Sequence, residues 1–143
     1  MTIEIYVKTV GNPAVLRTAK AKWMICAYNP RGKIFDSRQG VVIIPKSTVK
    51  RASLIALRDA LKRFDKAAVI KIYVSDPFVR NMLQTNMPHR WSEHDWRLFR
   101  YNRDIKHLEL WQEINELLKK HAVKYATPLE MAESKILNQM EVK

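Results

Sequence analysis

Cysteine, glycine and proline are scarce in this chain of 143 residues, which has one cysteine, three glycines and six prolines. The single Cys26 has no second cysteine for an internal disulfide or a cysteine zinc cluster, so a disulfide-stapled secreted scaffold is excluded. The low glycine and proline content also excludes collagen-like and low-complexity disordered chains. The remaining composition, with 47% hydrophobic and 28% charged residues, is that of a globular protein. We interpret Cys26 as a packed core thiol.

Long hydrophobic runs are also missing. No stretch approaches the roughly 18 apolar residues of a membrane span. Residues 1–10 lack the basic start and the long apolar centre of a secretion signal. We therefore expect a soluble, cytoplasmic protein with no membrane partner. Because a chain of this length can bury one sizeable core, we predict a single domain over residues 1–143.

Acidic residues are too few to balance the basic ones. Lysine and arginine number 26 against 14 aspartate and glutamate residues, which gives a net charge of +12. Such an imbalance attracts polyanions such as nucleic acid or acidic membrane surfaces. Charge alone does not identify the partner, since a solvated basic surface without a dedicated partner would have the same composition.

The spacing of apolar residues predicts a mixed α/β fold with helices packed on a sheet. Five segments rich in β-branched and aromatic residues are predicted strands: residues 3–9, 20–28, 33–44, 67–75 and 122–126. Four segments with helical spacing of apolar residues are predicted helices: residues 48–64, 77–85, 107–121 and 128–139. Ser47 is the predicted N-cap of the first helix, and Asp76 that of the second, with Pro77 in its first turn.

Residue patterns for other chemistry are weak. The histidines at positions 89, 94, 107 and 121 include no HExxH pair, so a zinc site is not predicted. No glycine-rich phosphate loop is present, and neither a serine nor Cys26 has an identifiable catalytic partner.

Several short motifs follow one another in a fixed order over almost the whole chain. They are Ile5-Tyr6, Gly11-Asn12-Pro13, Ala60-Leu61-Lys62, Val79-Arg80, the segment 91–96 and Leu110-Trp111-Gln112. This series resembles type 1 ribonuclease H. The resemblance implies a ribonuclease-H-like fold, which is a five-stranded mixed sheet of three antiparallel and two parallel strands flanked by helices. It also implies the family's activity, in which two metal ions held by four carboxylates cut the RNA strand of an RNA–DNA hybrid.

The positions that correspond to those four carboxylates carry other residues. Aligned by the surrounding motifs, these four replaced positions are Lys8, Lys50 (Arg51 if the helix register shifts by one), Ser75 and Ser134. Two divalent ions about 4 Å apart need several anionic oxygens to offset their mutual repulsion, and lysines there would repel them. The nearest acidic residues, Asp76 and Glu133, are one residue out of register. We therefore predict no metal site, no cofactor and no catalytic residue.

A basic and aromatic segment at about residues 87–106 resembles the protrusion with which some family members grip the hybrid. Its cations could neutralise phosphates, and its aromatic rings could contact sugars or bases. Together with the cations of the replaced positions, the predicted nucleic-acid contacts are Lys8, Lys50, Arg51, Arg90, Trp91, Trp96, Arg97, Arg100, Arg103 and Lys106. The alternative is that the two tryptophans pack this segment onto the helices and that the arginines pair with nearby carboxylates. For the tryptophans we favour packing.

Three hypotheses about function follow. The first is a catalytically inactive ribonuclease-H-like domain that binds duplex or hybrid nucleic acid through its phosphates. The second is an interaction scaffold that binds a protein partner or a second copy of itself. No exposed apolar stripe is evident in the sequence, which weakens this hypothesis. The third is a ribonuclease H with an atypical metal site that uses Asp76, Glu130 or Glu133.

Overall fold

The computed structural model describes residues 2–10, 17–96 and 105–142. Its five strands form one sheet in the order β3-β2-β1-β4-β5, with β1 at the centre. β1 pairs antiparallel with β2 and parallel with β4, β2 pairs antiparallel with β3, and β4 pairs parallel with β5. The predicted fold class, a five-stranded mixed sheet flanked by helices, is therefore confirmed. The strands are β1 Thr2–Thr9, β2 Arg17–Tyr28, β3 Ile34–Ser47, β4 Val69–Val74 and β5 Ala122–Tyr125.

The helices lie on both faces of this sheet. Within the described residues they are α1 Val49–Leu61, α2 Pro77–Gln84, α3 Met87–Ser92, α4 Leu108–Leu118, α5 Pro128–Glu133 and α6 Lys135–Gln139. All of them are too short or too polar to cross a membrane.

The alternation of residues along β1 separates two hydrophobic clusters, because successive side chains of a strand point to opposite faces. Ile5 and Val7 are buried in the larger cluster with residues of α1 and α4. Tyr6 is buried on the other face with Cys26 and Tyr73, where α5 and α6 cover the sheet. The predicted core position of Cys26 is confirmed, and burial raises the pKa of its thiol. The face that α6 covers is the face on which Lys8 lies.

The N-cap of α1 differs from the sequence prediction. Thr48 is the cap, and its hydroxyl accepts a hydrogen bond from the backbone N–H of Arg51. Ser47, the predicted cap, is instead the last residue of β3 and is buried. Serine and threonine are both strong cap formers, so the sequence alone did not distinguish the two positions.

The cap of α2 was predicted correctly. The Asp76 carboxylate is buried and accepts a hydrogen bond of 3.0 Å from the backbone N–H of Val79, with Pro77 in the first turn of the helix.

The single helix predicted at residues 128–139 is wrong, since α5 ends at Glu133 and α6 begins at Lys135. Ser134 adopts an extended backbone between them and caps α6 with its hydroxyl, which accepts from the Leu137 N–H at 3.1 Å.

Candidate nucleic-acid interface

Lys8 lies near the carboxyl end of the central strand. Its register partner on β2 is Lys22, so two positively charged side chains are directly opposite each other on antiparallel strands. Like charges in such a pair are unfavourable. The Lys8 ammonium group turns to the end of α6 and donates a hydrogen bond of 2.8 Å to the Leu137 carbonyl oxygen. A cation at the carboxyl end of a helix interacts favourably with the free carbonyl groups there.

Ser75 directly follows β4 and continues the junction between β4 and β1. Its backbone N–H donates to the Val7 carbonyl at 2.9 Å, and its hydroxyl accepts from the Thr9 N–H at 3.0 Å. A hydroxyl in this position ties the ends of the two central strands together. Ser75 and Lys8 thus belong to the same end of the sheet, and each has a hydrogen bond with the protein's own backbone.

Lys50 and Arg51 lie in the first turn of α1. The Lys50 ammonium group is 4.1 Å from the centre of the Phe78 ring on α2, which is a cation–π distance. Arg51 connects α1 to α4, since its guanidinium donates to Glu109 at 2.5 Å and lies 3.3 Å from His107 Nδ1. The hydrogen bond from Arg51 lowers the pKa of Glu109, while burial and then the Arg51 charge lower the pKa of His107.

The fourth replaced position, Ser134, is the cap of α6 described above. The acidic residues nearest to these positions have structural contacts of their own or face solvent. Asp76 caps α2, Glu130 forms an ion pair with Lys71, and Glu133 is exposed. Among residues 2–10, 17–96 and 105–142, no group of three or more His, Cys, Asp or Glu side chains could hold a metal ion.

Lys22 lies beside Lys8 on the sheet and was not among the predicted contact residues. Its position next to Lys8 depends on the β1–β2 register, which the length of the segment joining the two strands does not fix. The alternation of side chains along β2 was a usable signal, because Lys20 and Lys22 are two residues apart and so lie on the same face of the strand. Lys22 also lines a pocket of about 250 Å³ beside Met140 at the end of α6.

The predicted protrusion begins with α3. Arg90 is exposed on this helix, and Lys106 is exposed before α4. Trp91 packs edge-to-face on Trp111 with ring centres 6.0 Å apart, and Trp96 packs against the same hydrophobic cluster. Both tryptophans therefore stabilise the position of the segment on the core. Three of the predicted contacts lie outside the described residues: Arg97, Arg100 and Arg103.

The chain belongs to the ribonuclease H family, because a sequence model of that family, RNase H, matches residues 13–127. Among curated relatives, it is 28% identical over 79 residues to a Ribonuclease H of Caldicellulosiruptor saccharolyticus, covering 55% of this chain and 54% of that protein. It is 32% identical over 79 residues to a Ribonuclease H of Ehrlichia ruminantium, covering 55% of this chain and 53% of that protein. The chain thus spans about half the length of these curated relatives.

Solved structures show the same fold. LC9-RNase H1, a type 1 RNase H with the type 2 active-site motif, superposes with a TM-score of 0.69 at 20% identity, covering 87% of this chain and 61% of that chain. The PFV RNase H domain superposes with a TM-score of 0.61 at 14% identity, covering 96% and 85%. A foamy viral protease-reverse transcriptase in complex with RNA/DNA hybrid gives 0.58 at 14% identity, covering 87% and 17%.

Proposed function

We propose that this protein is a catalytically inactive member of the ribonuclease H family that binds duplex or hybrid nucleic acid through its phosphates. The observation that carries the proposal is the contact made at each replaced position. Lys8 donates to the end of α6, Lys50 lies over an aromatic ring, Ser75 joins β1 to β4, and Ser134 caps α6. These side chains serve the fold where metal-dependent cutting requires carboxylates.

Two-metal hydrolysis needs several anionic oxygens around one point, both to hold the ions and to orient the attacking and leaving groups. Of the three carboxylates proposed for an atypical site, Asp76 caps α2, Glu130 has other contacts, and Glu133 is exposed. Glu130 pairs with Lys71 and also closes the capping box of α5 with Thr127. Glu4, which shares the Lys8 face of β1, accepts a hydrogen bond from the Tyr6 hydroxyl. We therefore favour binding without cutting.

Positive charge supports a phosphate-binding role for Lys8 and Lys50 and for their cationic neighbours. Lys8 and Lys22 lie side by side on the sheet, Lys50 lies in the first turn of α1, and the exposed Arg90 belongs to α3. Each cation that neutralises a phosphate releases condensed counterions, which gives affinity without sequence specificity. The fold it shares with a foamy viral protease-reverse transcriptase solved in complex with RNA/DNA hybrid favours the same class of ligand.

A salt titration tests this proposal. We expect the protein to bind labelled RNA–DNA hybrid at about 50 mM salt and the binding constant to fall steeply as salt rises. Changing Lys50 and Arg90 together to glutamine should flatten the slope of log K against log salt by roughly 1.8, which corresponds to two lost phosphate contacts.

The matched control changes two exposed lysines, Lys33 and Lys66, to glutamine. They lie at the opposite end of the sheet, in the β2–β3 turn and before β4, and the same net charge is removed. This control should keep the wild-type slope. Equal flattening in both variants would show that binding depends only on net charge, and absence of binding at low salt would refute the proposal.

A further inference from the structure

The outer edge of the sheet carries exposed apolar side chains. β3 is an edge strand of 14 residues and has no strand on its outer side within the described part of the chain. Its register with β2 is regular from Asp36 to Ile44. Phe35 is 58% exposed, Val41 51% and Ile43 58%. The apolar stripe that was not evident in the sequence is therefore a feature of β3.

An open strand edge presents unpaired backbone N–H and C=O groups, and proteins usually protect such an edge with lysine, proline, a short strand or a covering loop. The charges of Asp36 and Arg38 and the register shift at Phe35 give β3 some of this protection near its start, whereas residues 39–44 contain neither a charge nor a proline. Pro45 and Lys46 appear only at the end of the strand. This edge is therefore suited to pairing with another β-strand.

We propose that β3 pairs antiparallel with β3 of a second copy of this chain. The argument for this occupant is charge complementarity around Ser37. Asp36 and Arg38 flank it and already form an ion pair of 3.2 Å within the strand, with side chains 51% and 64% exposed. With Ser37 on a twofold axis, Asp36 of each copy lies opposite Arg38 of the other. Opposite charges in directly facing positions stabilise such a pair.

In this register the paired segment of each copy runs from residue 34 to residue 40, and the exposed Val41 borders it. Phe35 lies within the segment, at the point where the β2–β3 register shifts between Ala27 and Tyr28. The two sheets then continue into one sheet across the interface, and the exposed Phe35 and Val41 become partly covered.

The net charge of +12 on each copy opposes association over long distances. At physiological ionic strength the Debye length is about 8 Å, so charges elsewhere on the two copies are largely screened. Self-association should therefore persist or strengthen as salt rises to physiological values. Nucleic-acid binding has the opposite salt dependence, so the two activities can be separated experimentally.

Charge reversal on β3 tests the proposal in protein freed of nucleic acid, by sedimentation over a range of concentrations. We expect a monomer–dimer equilibrium in the wild-type protein. Asp36→Arg and Arg38→Asp should each weaken it roughly tenfold or more, because each creates facing like charges. The double variant Asp36→Arg/Arg38→Asp should restore it. An equimolar mixture of the two single variants should form a mixed dimer, since opposite charges again face each other.

Thermal unfolding of each variant should show that it remains folded, because the substituted side chains are exposed. A wild-type protein that stays monomeric would overturn the proposal. So would single variants that dimerise as well as the wild type, or a mixture that fails to associate. A mixed dimer formed by two variants that do not self-associate would support both the edge and the register.

Discussion

Lys8 shows how one replaced residue has been integrated into the fold. Its ammonium group satisfies a carbonyl at the end of α6, but its register partner on β2 is another lysine. A hydrogen bond from a charged group contributes about 1.5 to 3 kcal/mol, whereas a facing like-charge pair costs about 0.2 to 1 kcal/mol. The hydrogen bond outweighs the repulsion, so Lys8 stabilises the docking of α6.

Alanine substitutions at the two lysines should consequently have opposite effects. Lys8→Ala should lower the free energy of unfolding by about 1 kcal/mol, because α6 loses its hydrogen-bond donor. Lys22→Ala should leave stability unchanged or slightly raise it, because only the repulsion is removed. Chemical denaturation measures both. Equal destabilisation by the two substitutions would contradict the assigned role of Lys8.

Gly40 is required by its contact with Trp23 on the neighbouring strand. A Cβ atom added at Gly40 would lie 2.5 Å from Trp23 Cε2 and Nε1, and Trp23 is buried. Gly40→Ala should therefore destabilise the protein by about 1 to 3 kcal/mol. Trp23→Leu removes the ring atoms that clash, so the cost of Gly40→Ala should be smaller in that background, as a double-mutant cycle would show.

Gly32→Ala is the matched control for Gly40→Ala. Gly32 has a φ of 78°, and an added Cβ would meet nothing within 4 Å. Its cost comes from the backbone alone, about 1 kcal/mol, and should be the same with Trp23 or with Leu at position 23. A cost of Gly40→Ala that does not change in the Trp23→Leu background would contradict the steric explanation.

At the scale of elements, His121 joins the end of α4 to the start of β4. Its Nδ1 accepts a hydrogen bond of 3.0 Å from the Ala68 N–H, which requires the neutral ring. Burial lowers the pKa of His121, and the charge of Lys120 lowers it further. An unfolded histidine has a pKa near 6.5, so just below that pH the unfolded chain binds more protons at this residue than the folded chain does. The stability contributed by neutral His121 is present above about pH 6.5 and is lost as pH falls.

His121→Asn isolates this contribution, because an amide oxygen can accept from Ala68 but does not titrate. The free energy of unfolding of the wild type should fall between about pH 7.5 and pH 5.5. The decrease should be smaller in the variant. The remaining decrease includes His107, whose pKa is also lowered by burial. Identical pH dependence in the two proteins would show that His121 does not couple stability to pH.

The elements themselves could largely be predicted, because apolar periodicity depends on burial and the sheet buries each strand in a regular way. Their ends were harder to predict. Ser47 and Thr48 are adjacent cap formers, and the choice between them depends on how far β3 continues. Ser134 interrupts the last helical segment because its hydroxyl caps the next turn, although apolar spacing continues across it.

The site was less predictable than the fold. Motif order predicts which positions are replaced, but the contacts that the side chains make there join residues far apart in sequence. Lys8 and Leu137 are separated by 129 positions, and Arg51 and Glu109 by 58. Lys22 became part of the surface only through strand register. No periodicity encodes such pairings, so they follow from the tertiary structure alone.

At the scale of the whole molecule, the ribonuclease H fold holds a strongly basic chain, and cations and hydroxyl groups occupy the positions where we predict that the carboxylates are replaced. The fold was confirmed by its sheet order and by its relatives. A fold does not determine a function, because the chemistry resides in particular side chains. The proposed function therefore requires that the protein binds nucleic acid without cutting it.

The most direct measurement is incubation of a labelled RNA–DNA hybrid with the protein in the presence of Mg²⁺ or Mn²⁺, since one gel shows both binding and cutting. We expect a retarded complex and full-length RNA with either metal, because we propose that the anionic oxygens needed for two-metal hydrolysis are replaced. Shortened RNA that forms with the metal, but not when the metal is chelated, would show that the protein is an active nuclease.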